Sequence, residues 1–470
     1  MTRARRKDAS RANATVGQPV RAVVATLLAR LCAGDGSLAT LCEPMQQTVD
    51  SSDRALLQEL AYGTSRHFHT LEYLAAQLLQ KPLRNKDRDI HCLILVGIYQ
   101  LRYQRIAAHA AIDLTVESAE ALRKPWAKGV INAVLRNYLR SQPDTDQAPV
   151  DSELDDATDV ARFSHPQWMI ERLRKDWKDD WQQILLAGSK RPPMVLRVNR
   201  LVISVENYLQ KLNDLGMTSL QHPFVESAVV LDEPVAVNKL PGFDQGLVSV
   251  QDASAQLAGL FMAPELTQIP KQNESAPRVL DACAAPGGKT CHLLELGESA
   301  AVTALDISES RLLKATQNLQ RLQLQERATQ QVGDAADPET WWDGEQFDLI
   351  LLDAPCSGSG IIRRQPDVKL LRRPQELPIL ANTQQKMLNS LWPLLKTGGK
   401  LLYVTCSVFR SENALLLESF VASCSDAREV SLQERIPHEL PSRESLGVQL
   451  LSGEFGMDGF YFCLLEKLGD

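Results

Sequence analysis

Short apolar runs alternate with helical patterns over the second half of the chain, and this alternation limits the folds that residues 244–470 can adopt. Strands that alternate with helices form a mostly parallel sheet with helices on both faces. The pattern therefore predicts an α/β domain with a doubly wound sheet. Its main strands are expected at residues 278–281, 301–305, 329–332, 347–352 and 400–404. A last strand is predicted at 459–465, and residues 425–454 are expected to be irregular.

The first part of the chain has a different pattern. Between residues 18 and 142, apolar residues recur at three- and four-residue spacing with no strand-like alternation, which is typical of an all-helical bundle. The helical stretches are 20–31, 55–79, 89–103, 110–121 and 127–139. Residues 1–17 are polar and basic and are expected to form a disordered tail.

Two further segments connect the bundle to the α/β domain. Residues 143–160 contain seven acidic residues, two prolines and no basic residue, which predicts an acidic linker. Residues 161–243 are predicted to form a small α+β module with strands at 194–198 and 228–231 and a helix at 205–215. Between Arg162 and Arg200 this module has nine Lys and Arg against four Asp and Glu. Either a nucleic-acid contact or a solvated amphipathic helix would explain that excess.

Composition excludes several classes of protein. The net charge is −7, which is only weak evidence against nucleic-acid binding because a local basic face can be hidden in the average. Nine cysteines occur without a Cys-x-x-Cys pair, so a zinc ribbon or a disulfide framework is not expected. The apolar run 92–101 is too short to cross a bilayer, and no signal peptide is predicted. We expect a cytoplasmic monomer without a metal.

A glycine-rich turn follows the first strand of the α/β domain. The sequence Asp281-Ala-Cys-Ala-Ala-Pro-Gly-Gly-Lys-Thr290 places small residues and a helix start where a ligand can approach the backbone. It matches neither the phosphate-binding P-loop nor the Gly-x-Gly-x-x-Gly pattern of dinucleotide sites.

Acidic residues stand at the ends of the next strands. Asp306 lies 25 positions after Asp281, where an acid binds ribose hydroxyls in dinucleotide folds, and Asp334 and Asp353 follow the third and fourth strands. A single such Asp would more often be a helix cap. Three acids beside a glycine-rich turn favour a ligand that combines a ribose, an adenine and a positive charge, and S-adenosylmethionine fits that description.

Two cysteines also end strands. Cys356 lies in Asp353-Ala-Pro-Cys-Ser-Gly and Cys406 in Val404-Thr-Cys-Ser. Thiols at this sheet edge favour covalent chemistry, for example addition to cytosine carbon-6, which activates carbon-5 for methylation. The simpler interpretation is that they are small buried apolar residues. We expect that interpretation to hold for six other cysteines: Cys32, Cys42, Cys92, Cys291, Cys424 and Cys463. Methyltransferases that act on amino groups usually carry Asp/Asn-Pro-Pro-aromatic here, so Asp-Ala-Pro-Cys favours carbon. The flanking residues do not decide which thiol attacks.

These motifs resemble the Sun-type RNA 5-methylcytosine methyltransferases. The glycine-rich turn, the two cysteine motifs, Ser249-Val-Gln-Asp-Ala-Ser-Ala-Gln-Leu and Arg191-Pro-Pro-Met-Val-Leu-Arg-Val-Asn199 all carry the resemblance. Arg105-Ile-Ala-Ala-His-Ala-Ala and Val130-Ile-Asn-Ala-Val-Leu-Arg are similar to the NusB-like RNA-binding bundle. The combination is typical of family members that act on small-subunit ribosomal RNA.

The resemblance implies a Rossmann-like methyltransferase domain that uses S-adenosylmethionine. It implies that Cys406 is the nucleophile, that Cys356 assists release of the methylated base, and that Asp353 lies close to the target cytosine. The residues that it assigns to cofactor binding are Cys283, Ala284, Ala285, Pro286, Gly287, Gly288, Lys289, Asp306, Asp334 and Asp353.

Two stretches depart from the family pattern. The chain has Gln365-Pro366-Asp367 where His-Pro-Asp is common, and Arg410-Ser411-Glu412-Asn413 where Pro-Glu-Glu-Asn is usual. We expect these departures to affect contacts with RNA rather than catalysis. Transfer RNA as the substrate, and a non-catalytic RNA-binding assembly factor, remain alternatives. A dehydrogenase is less consistent with the missing dinucleotide glycine pattern.

Overall fold

The structure, a computed structural model, describes residues 17–142, 154, 157–267, 276–435, 439 and 441–469. The predicted tail lies almost wholly outside the described residues, as does most of the predicted acidic linker. The chain divides into two compact units. One runs to Ile170 and also includes Gln365–Leu371, and the other comprises Glu171–Arg364 and Arg372–Asp470.

The first unit is the predicted helical bundle. Its helices are α1 Val20–Ala33, α2 Leu38–Met45, α3 Arg54–Arg66, α4 Phe68–Leu78, α5 Arg88–Tyr103, α6 Ala108–Ala121, α7 Lys128–Ser141 and α8 Asp159–Phe163. Helix α5 is almost wholly buried from Ile90 to Tyr99. Helix α2 was not predicted from the sequence. The single helical stretch predicted at 55–79 forms two helices that meet at His67.

A short segment from much later in the chain completes this bundle. In Gln365–Leu371, which contains helix α15 Val368–Leu371, the Asp367 carboxylate accepts the Leu38 amide at 3.0 Å and so caps the start of α2. The Lys369 side chain is 1% exposed and donates to the Arg66 carbonyl, and Leu370 joins the apolar core. Asp367 therefore has a structural partner in the bundle. The residue of this stretch that departs from the family pattern is Gln365, and its effect on RNA contacts stays a prediction.

The second unit begins with a small α+β module. Helix α9 Gln167–Asp176 carries the chain into it, and the other elements are α10 Trp181–Gly188, β1 Met194–Val198, α11 Val205–Asp214, β2 Ser219–Gln221, β3 Ala228–Leu231 and β4 Val248–Val250. The four strands form an antiparallel sheet in the order β2-β3-β1-β4. The sequence missed β2 and β4, and β4 belongs to this sheet although it lies beyond the predicted end of the module at 243.

The large sheet follows. Its elements are α12 Ala253–Leu266, β5 Arg278–Ala282, α13 Gly288–Leu296, β6 Ala301–Asp306, α14 Glu309–Arg321, β7 Ala328–Val332, β8 Phe347–Asp353, α16 Glu376–Leu391, β9 Leu395–Thr405, α17 Ala414–Ser423, β10 Ala427–Val430, β11 Val448–Leu450 and β12 Phe460–Lys467. The order is β10-β12-β9-β8-β5-β6-β7, with β11 beside β12. Strands β5 to β9 are parallel, and β10, β11 and β12 pair antiparallel. The α/β prediction is confirmed, whereas the expectation that 425–454 lacks strands is wrong because β10 and β11 lie there.

Apolar side chains on both faces of this sheet form its core. The β8 run Leu349 to Leu352 is buried throughout, as expected for a central parallel strand covered on both sides. Among the described residues no helix is long and apolar enough to cross a membrane.

Candidate active site

The chain reverses its direction across the sheet between β5 and β8. From β5 it proceeds to β6 and β7 on one side, and from β8 to β9 on the other. Ligands of open α/β sheets bind at the carboxyl ends of the strands at such a switch point. The predicted cofactor and thiol residues all follow the carboxyl ends of β5 to β9, so this edge contains the candidate site.

The glycine-rich loop is folded tightly against the end of β6 and against helix α14. The Ala284 amide donates to the Leu305 carbonyl at 2.8 Å, and Gly287 has a φ of 91°. A Cβ at Gly287 would lie 2.8 Å from the Ala315 Cα, so a side chain there would collide with the α14 backbone. Gly287 is therefore required both by its left-handed backbone and by this close approach.

Asp306 fixes the same loop. Its carboxylate is 2% exposed and accepts the amides of Ala285 at 3.1 Å and Ser308 at 3.0 Å. The Arg311 guanidinium donates to the Ala285 carbonyl at 2.8 Å. Asp306 thus shapes the turn, a role that the sequence did not predict, in addition to any contact with a ribose.

Asp281 was not among the cofactor-binding residues predicted from the sequence, but its surroundings suit a ligand. It is fully buried, its Oδ2 accepts the Thr290 hydroxyl at 2.6 Å, and its Oδ1 has no hydrogen-bond partner in the described part of the chain. Burial raises the pKa of Asp281 to about 7, with neighbouring Asp353 acting in the same direction. An acid with an unsatisfied oxygen at the switch point is suited to a cationic ligand.

Asp334 lies at the end of β7 beside an indole ring. Its Oδ1 accepts the Ala336 amide at 2.9 Å, and its carbonyl accepts Nε1 of Trp341 at 2.8 Å. Trp341 packs so closely on Gly333 that a Cβ there would lie 2.7 Å from the ring. A half-buried acid beside an indole ring suits an adenine.

Lys289 and Asp353 form an ion pair at the centre of the edge. The Lys289 Nζ lies 2.6 Å from Oδ2 of Asp353, and their side chains are 14% and 30% exposed. Burial alone would lower the pKa of Lys289, but the Asp353 carboxylate outweighs burial and raises that pKa above its usual value. Lys289 also interacts electrostatically with Cys406, so this ion pair lies near one of the two cysteines.

The structure brings together the two cysteines, which are 50 residues apart in the sequence. The Sγ atoms of Cys356 and Cys406 lie 3.3 Å apart. The two loops that carry them are joined where the Gly360 amide donates to the Cys406 carbonyl at 2.9 Å. The segment before β12 adds a further bond, from the Gly459 amide to the Gly360 carbonyl at 2.9 Å. A Cβ at Gly360 would lie 2.0 Å from the Gly459 carbonyl oxygen, so only glycine allows this approach.

A buried carboxylate lies behind the thiols. Glu412 is fully buried and accepts the Ser357 amide at 2.8 Å and the Ser407 hydroxyl at 2.7 Å, so it contacts the residue that follows each cysteine. Asn413 is also buried and accepts the Thr405 hydroxyl at 2.6 Å. Neither side chain is available to RNA. The residues of this stretch that depart from the family pattern are Arg410 and Ser411, and their effect on RNA contacts stays a prediction.

The two thiols have different electrostatic surroundings. The hydrogen bond with Cys406, burial and the Glu412 carboxylate all raise the pKa of the Cys356 thiol well above its usual value. The Lys289 ammonium interacts electrostatically with Cys406. An anion therefore faces Cys356 whereas a cation faces Cys406.

One residue of the small module reaches the cofactor loop. Arg197 of β1 is 1% exposed, donates to the Gly288 carbonyl at 2.7 Å and pairs with Glu295 at 2.7 Å. The sequence counted Arg197 among the residues of a basic surface, but the structure buries it. A lone arginine in a strand pattern gives no sign of this role, because its partners lie about 100 residues away in the chain.

The remaining cysteines are consistent in part with the packing interpretation. Cys42, Cys92, Cys291 and Cys463 are buried, whereas Cys32 and Cys424 are partly exposed. All nine are free thiols, and in the described residues no group of three or more His, Cys, Asp or Glu could hold a metal ion.

The residues at the sheet edge fit S-adenosylmethionine. The unsatisfied oxygen of buried Asp281 is suited to a cation, and the carboxylate of Asp334 is suited to an adenine. When bound, this cofactor supplies an electrophilic methyl group on a sulfonium. The fold and the site define an S-adenosylmethionine-dependent methyltransferase.

Comparisons with known proteins agree with that class and narrow it. A family profile described as 16S rRNA methyltransferase RsmB/F matches residues 267–466, a ferredoxin-like domain of RsmF/B-like methyltransferases matches 165–238, and the NusB family matches 19–140. Curated proteins called ribosomal RNA small subunit methyltransferase B are 43% identical in Vibrio vulnificus, over 95% of this chain and 99% of theirs, and 44% identical in Pseudomonas putida, over 95% and 98%. The chain belongs to this family of 16S ribosomal RNA methyltransferases.

Solved structures support the fold. The crystal structure of PH0851 covers 96% of this chain and 99% of its own with a TM-score of 0.75 at 22% identity. NSun6 from Pyrococcus horikoshii, solved with SFG, covers 65% of this chain and 99% of its own with a TM-score of 0.55 at 18% identity. The predicted family, the three-part architecture and the S-adenosylmethionine cofactor are thereby confirmed.

Proposed function

We propose that this chain methylates carbon-5 of a specific cytosine in small-subunit ribosomal RNA through a covalent adduct with Cys406. The observation that carries the proposal is the pair of thiols, 3.3 Å apart, beside the Lys289–Asp353 ion pair at the cofactor edge of the sheet. A methyltransferase that acted on an amino group would need neither thiol.

The chemistry of the base explains why thiols are required. Cytosine carbon-5 is a poor nucleophile, and addition of a thiolate to carbon-6 makes carbon-5 nucleophilic enough to accept a methyl group. Release then requires loss of the carbon-5 proton and cleavage of the bond between sulfur and carbon-6. Asp353 is assigned to the ring-nitrogen edge of the cytosine, because an acid there stabilises the adduct.

The charges assign the two thiols to different steps. The nucleophile must become a thiolate, and Cys406 is the thiol that interacts electrostatically with the Lys289 ammonium. Cys356 is held as a neutral thiol by its raised pKa, so its S–H can donate to the Cys406 sulfur as that sulfur leaves carbon-6. The Cys356 sulfur, left as a thiolate, then accepts the proton lost from carbon-5, so both cysteines end as thiols. Cys406 is therefore the proposed nucleophile, and Cys356 assists release.

The cofactor contacts are assigned in the same way. The loop of residues 283–289 is proposed to bind S-adenosylmethionine with its backbone, Asp306 to receive the ribose, and Asp334 to receive the adenine. Asp281 is added as the buried counter-charge for the cationic part of the cofactor, on the basis of its unsatisfied Oδ1. We propose that the NusB-like bundle and the small module contact structured RNA through shape and phosphates. The proposed compartment is the bacterial cytoplasm, where a ribosomal substrate and nine free thiols coexist.

The test is transfer of labelled methyl from S-adenosylmethionine to protein-free small-subunit ribosomal RNA. We expect label in 5-methylcytosine with the unaltered protein and none with Cys406→Ala. In the Cys356→Ala protein, Cys406 should still attack the cytosine, but the methylated base should be released slowly. Protein–RNA adducts should therefore accumulate. Cys424→Ala is the matched control, because the thiol of this partly exposed cysteine of the same unit bonds to Asp426 and to no predicted site residue among the contacts described. It should leave transfer unchanged.

Three results would contradict the proposal. Label in another nucleotide would rule out the base, and undiminished transfer by Cys406→Ala would rule out the nucleophile. Label that appears only in transfer RNA would rule out the ribosomal substrate.

A further inference from the structure

Glu412 is in an unusual position for a charged residue. It is fully buried, and no ion pair to it is present in the described residues. Three donors satisfy its carboxylate instead: the Ser357 amide at 2.8 Å, the Gln384 side-chain amide at 3.2 Å and the Ser407 hydroxyl at 2.7 Å. A buried carboxylate is costly, so its donors must be held in place around it.

The donors come from the two loops that carry the thiols. Ser357 directly follows Cys356 and Ser407 directly follows Cys406, so one carboxylate bridges both loops from behind. The Ser357 and Ser407 hydroxyls also lie 3.1 Å apart, which closes the bridge into a ring of hydrogen bonds. The Gln384 side chain adds support by donating to the Pro355 carbonyl at 2.9 Å.

We propose that Glu412 is a positioning residue that sets the spacing of the Cys356 and Cys406 sulfur atoms and thereby couples attack on the base to its release. The proposal deepens the proposed function and rests on it. Glu412 reaches neither sulfur by a hydrogen bond in the described contacts, so it acts through the backbone of Ser357 and the side chain of Ser407. Without the bridge, Cys356 would no longer be held against the sulfur that must leave.

The first experiment follows the protein–RNA adduct. We compare the unaltered protein, Glu412→Ala, Glu412→Gln, and each change combined with Cys356→Ala, using protein-free small-subunit ribosomal RNA and S-adenosylmethionine. Loss of positioning in Glu412→Ala should prolong the adduct by about 10- to 100-fold. Glu412→Gln keeps the shape and one acceptor oxygen, so it should restore most of the release rate. Glu418→Gln, on the adjoining helix and bonded to Ser445, is the matched control.

The double variants separate positioning from general damage. When Cys356 is absent, removal of Glu412 should not lengthen the adduct lifetime further, because the group that it positions is gone. A merely structural defect would slow release by the same factor in both backgrounds, which would overturn the proposal. Cofactor affinity, measured for every variant, should be unchanged and shows that the variants are folded.

A second measurement reports the spacing without RNA. Diamide oxidises two adjacent thiols to a disulfide, taking up their two protons and two electrons to become a hydrazine. The rate of Cys356–Cys406 bond formation, read by peptide mapping, should be about tenfold slower in Glu412→Ala and unchanged in Glu418→Gln.

The two measurements distinguish failure of this inference from failure of the proposed function. Unaltered adduct lifetime and disulfide rate in Glu412→Ala, together with normal methyl transfer, would overturn the role of Glu412 and leave the function standing. If even the unaltered protein forms no adduct, the proposed function fails, and the disulfide rate still decides whether Glu412 sets the spacing.

Discussion

Replacement of Asp281 by Asn should make the stability of the second unit less dependent on pH. Asp281 is fully buried, with one oxygen bonded to the Thr290 hydroxyl and the other without a partner among the described residues. Burial raises its pKa from 3.8 to about 7 in the folded protein. Between pH 3.8 and about pH 7, Asp281 therefore keeps its proton in the folded protein but loses it in the unfolded chain.

The sign and size of the effect follow from linkage. A raised pKa contributes stability that is fully present below pH 3.8 and is lost as the pH rises to about 7. The difference of about 3 units, at about 1.4 kcal/mol per unit, corresponds to a loss of roughly 4 kcal/mol over the whole window. About 3 kcal/mol of that loss should fall between pH 5 and pH 8. Asn cannot ionise, and its amide oxygen can still accept the Thr290 hydroxyl.

The assay is urea unfolding of the cofactor-free protein at pH 5, 6, 7 and 8, followed by the fluorescence of tryptophans such as Trp341 and Trp392 in this unit. Between pH 5 and pH 8, the free energy of unfolding should fall by about 3 kcal/mol more in the unaltered protein than in Asp281→Asn. Glu339→Gln, a change of an exposed carboxylate in the same unit, should give no such trend. Parallel stability curves for Asp281→Asn and the unaltered protein would refute the argument that burial raises the pKa of Asp281 to about 7.

Two further changes test how the site is built. Arg197→Met leaves Glu295 buried without its partner and should lower the free energy of unfolding by about 3–5 kcal/mol, whereas Arg200→Met, which removes a half-exposed pair, should cost less than about 1 kcal/mol in the same urea assay. Gly360→Ala would place a Cβ 2.0 Å from the Gly459 carbonyl oxygen, so the loop that carries Cys356 must move away from the segment before β12. This change should lower the free energy of unfolding by about 1–3 kcal/mol. It should also lower the rate of methyl transfer more than the affinity for the cofactor. An unchanged transfer rate would show that the Gly360–Gly459 contact does not determine the geometry of the site.

Local sequence patterns determine much of this fold. The strands that begin at Arg278, Ala301 and Phe347 were predicted within two residues of their observed ends, because apolar runs between turn residues mark central parallel strands. Parallel strands then bring their carboxyl ends to one edge, so the placement of Asp306 and Asp353 near the glycine-rich loop also followed from the sequence.

Features that depend on contacts between distant segments could not be predicted. β4 is three residues long and is recognisable only by its pairing with β1. The buried environments of Asp281 and Glu412 arise from elements that are far apart in sequence, and no local pattern distinguishes a buried acid from a helix cap. The sequence also could not rank the two thiols, because the charges that face Cys356 and Cys406 belong to other elements.

The segment Gln365–Leu371 has a consequence for the order in which the protein is made. The chain leaves the ribosome N-terminus first, so helices α1 to α8 emerge long before this segment does. Until then the start of α2 lacks the Asp367 cap and the apolar core lacks Leu370. The N-terminal unit therefore cannot reach its final form during its own synthesis, and a fragment that stops at residue 170 is an incomplete unit rather than a separable one.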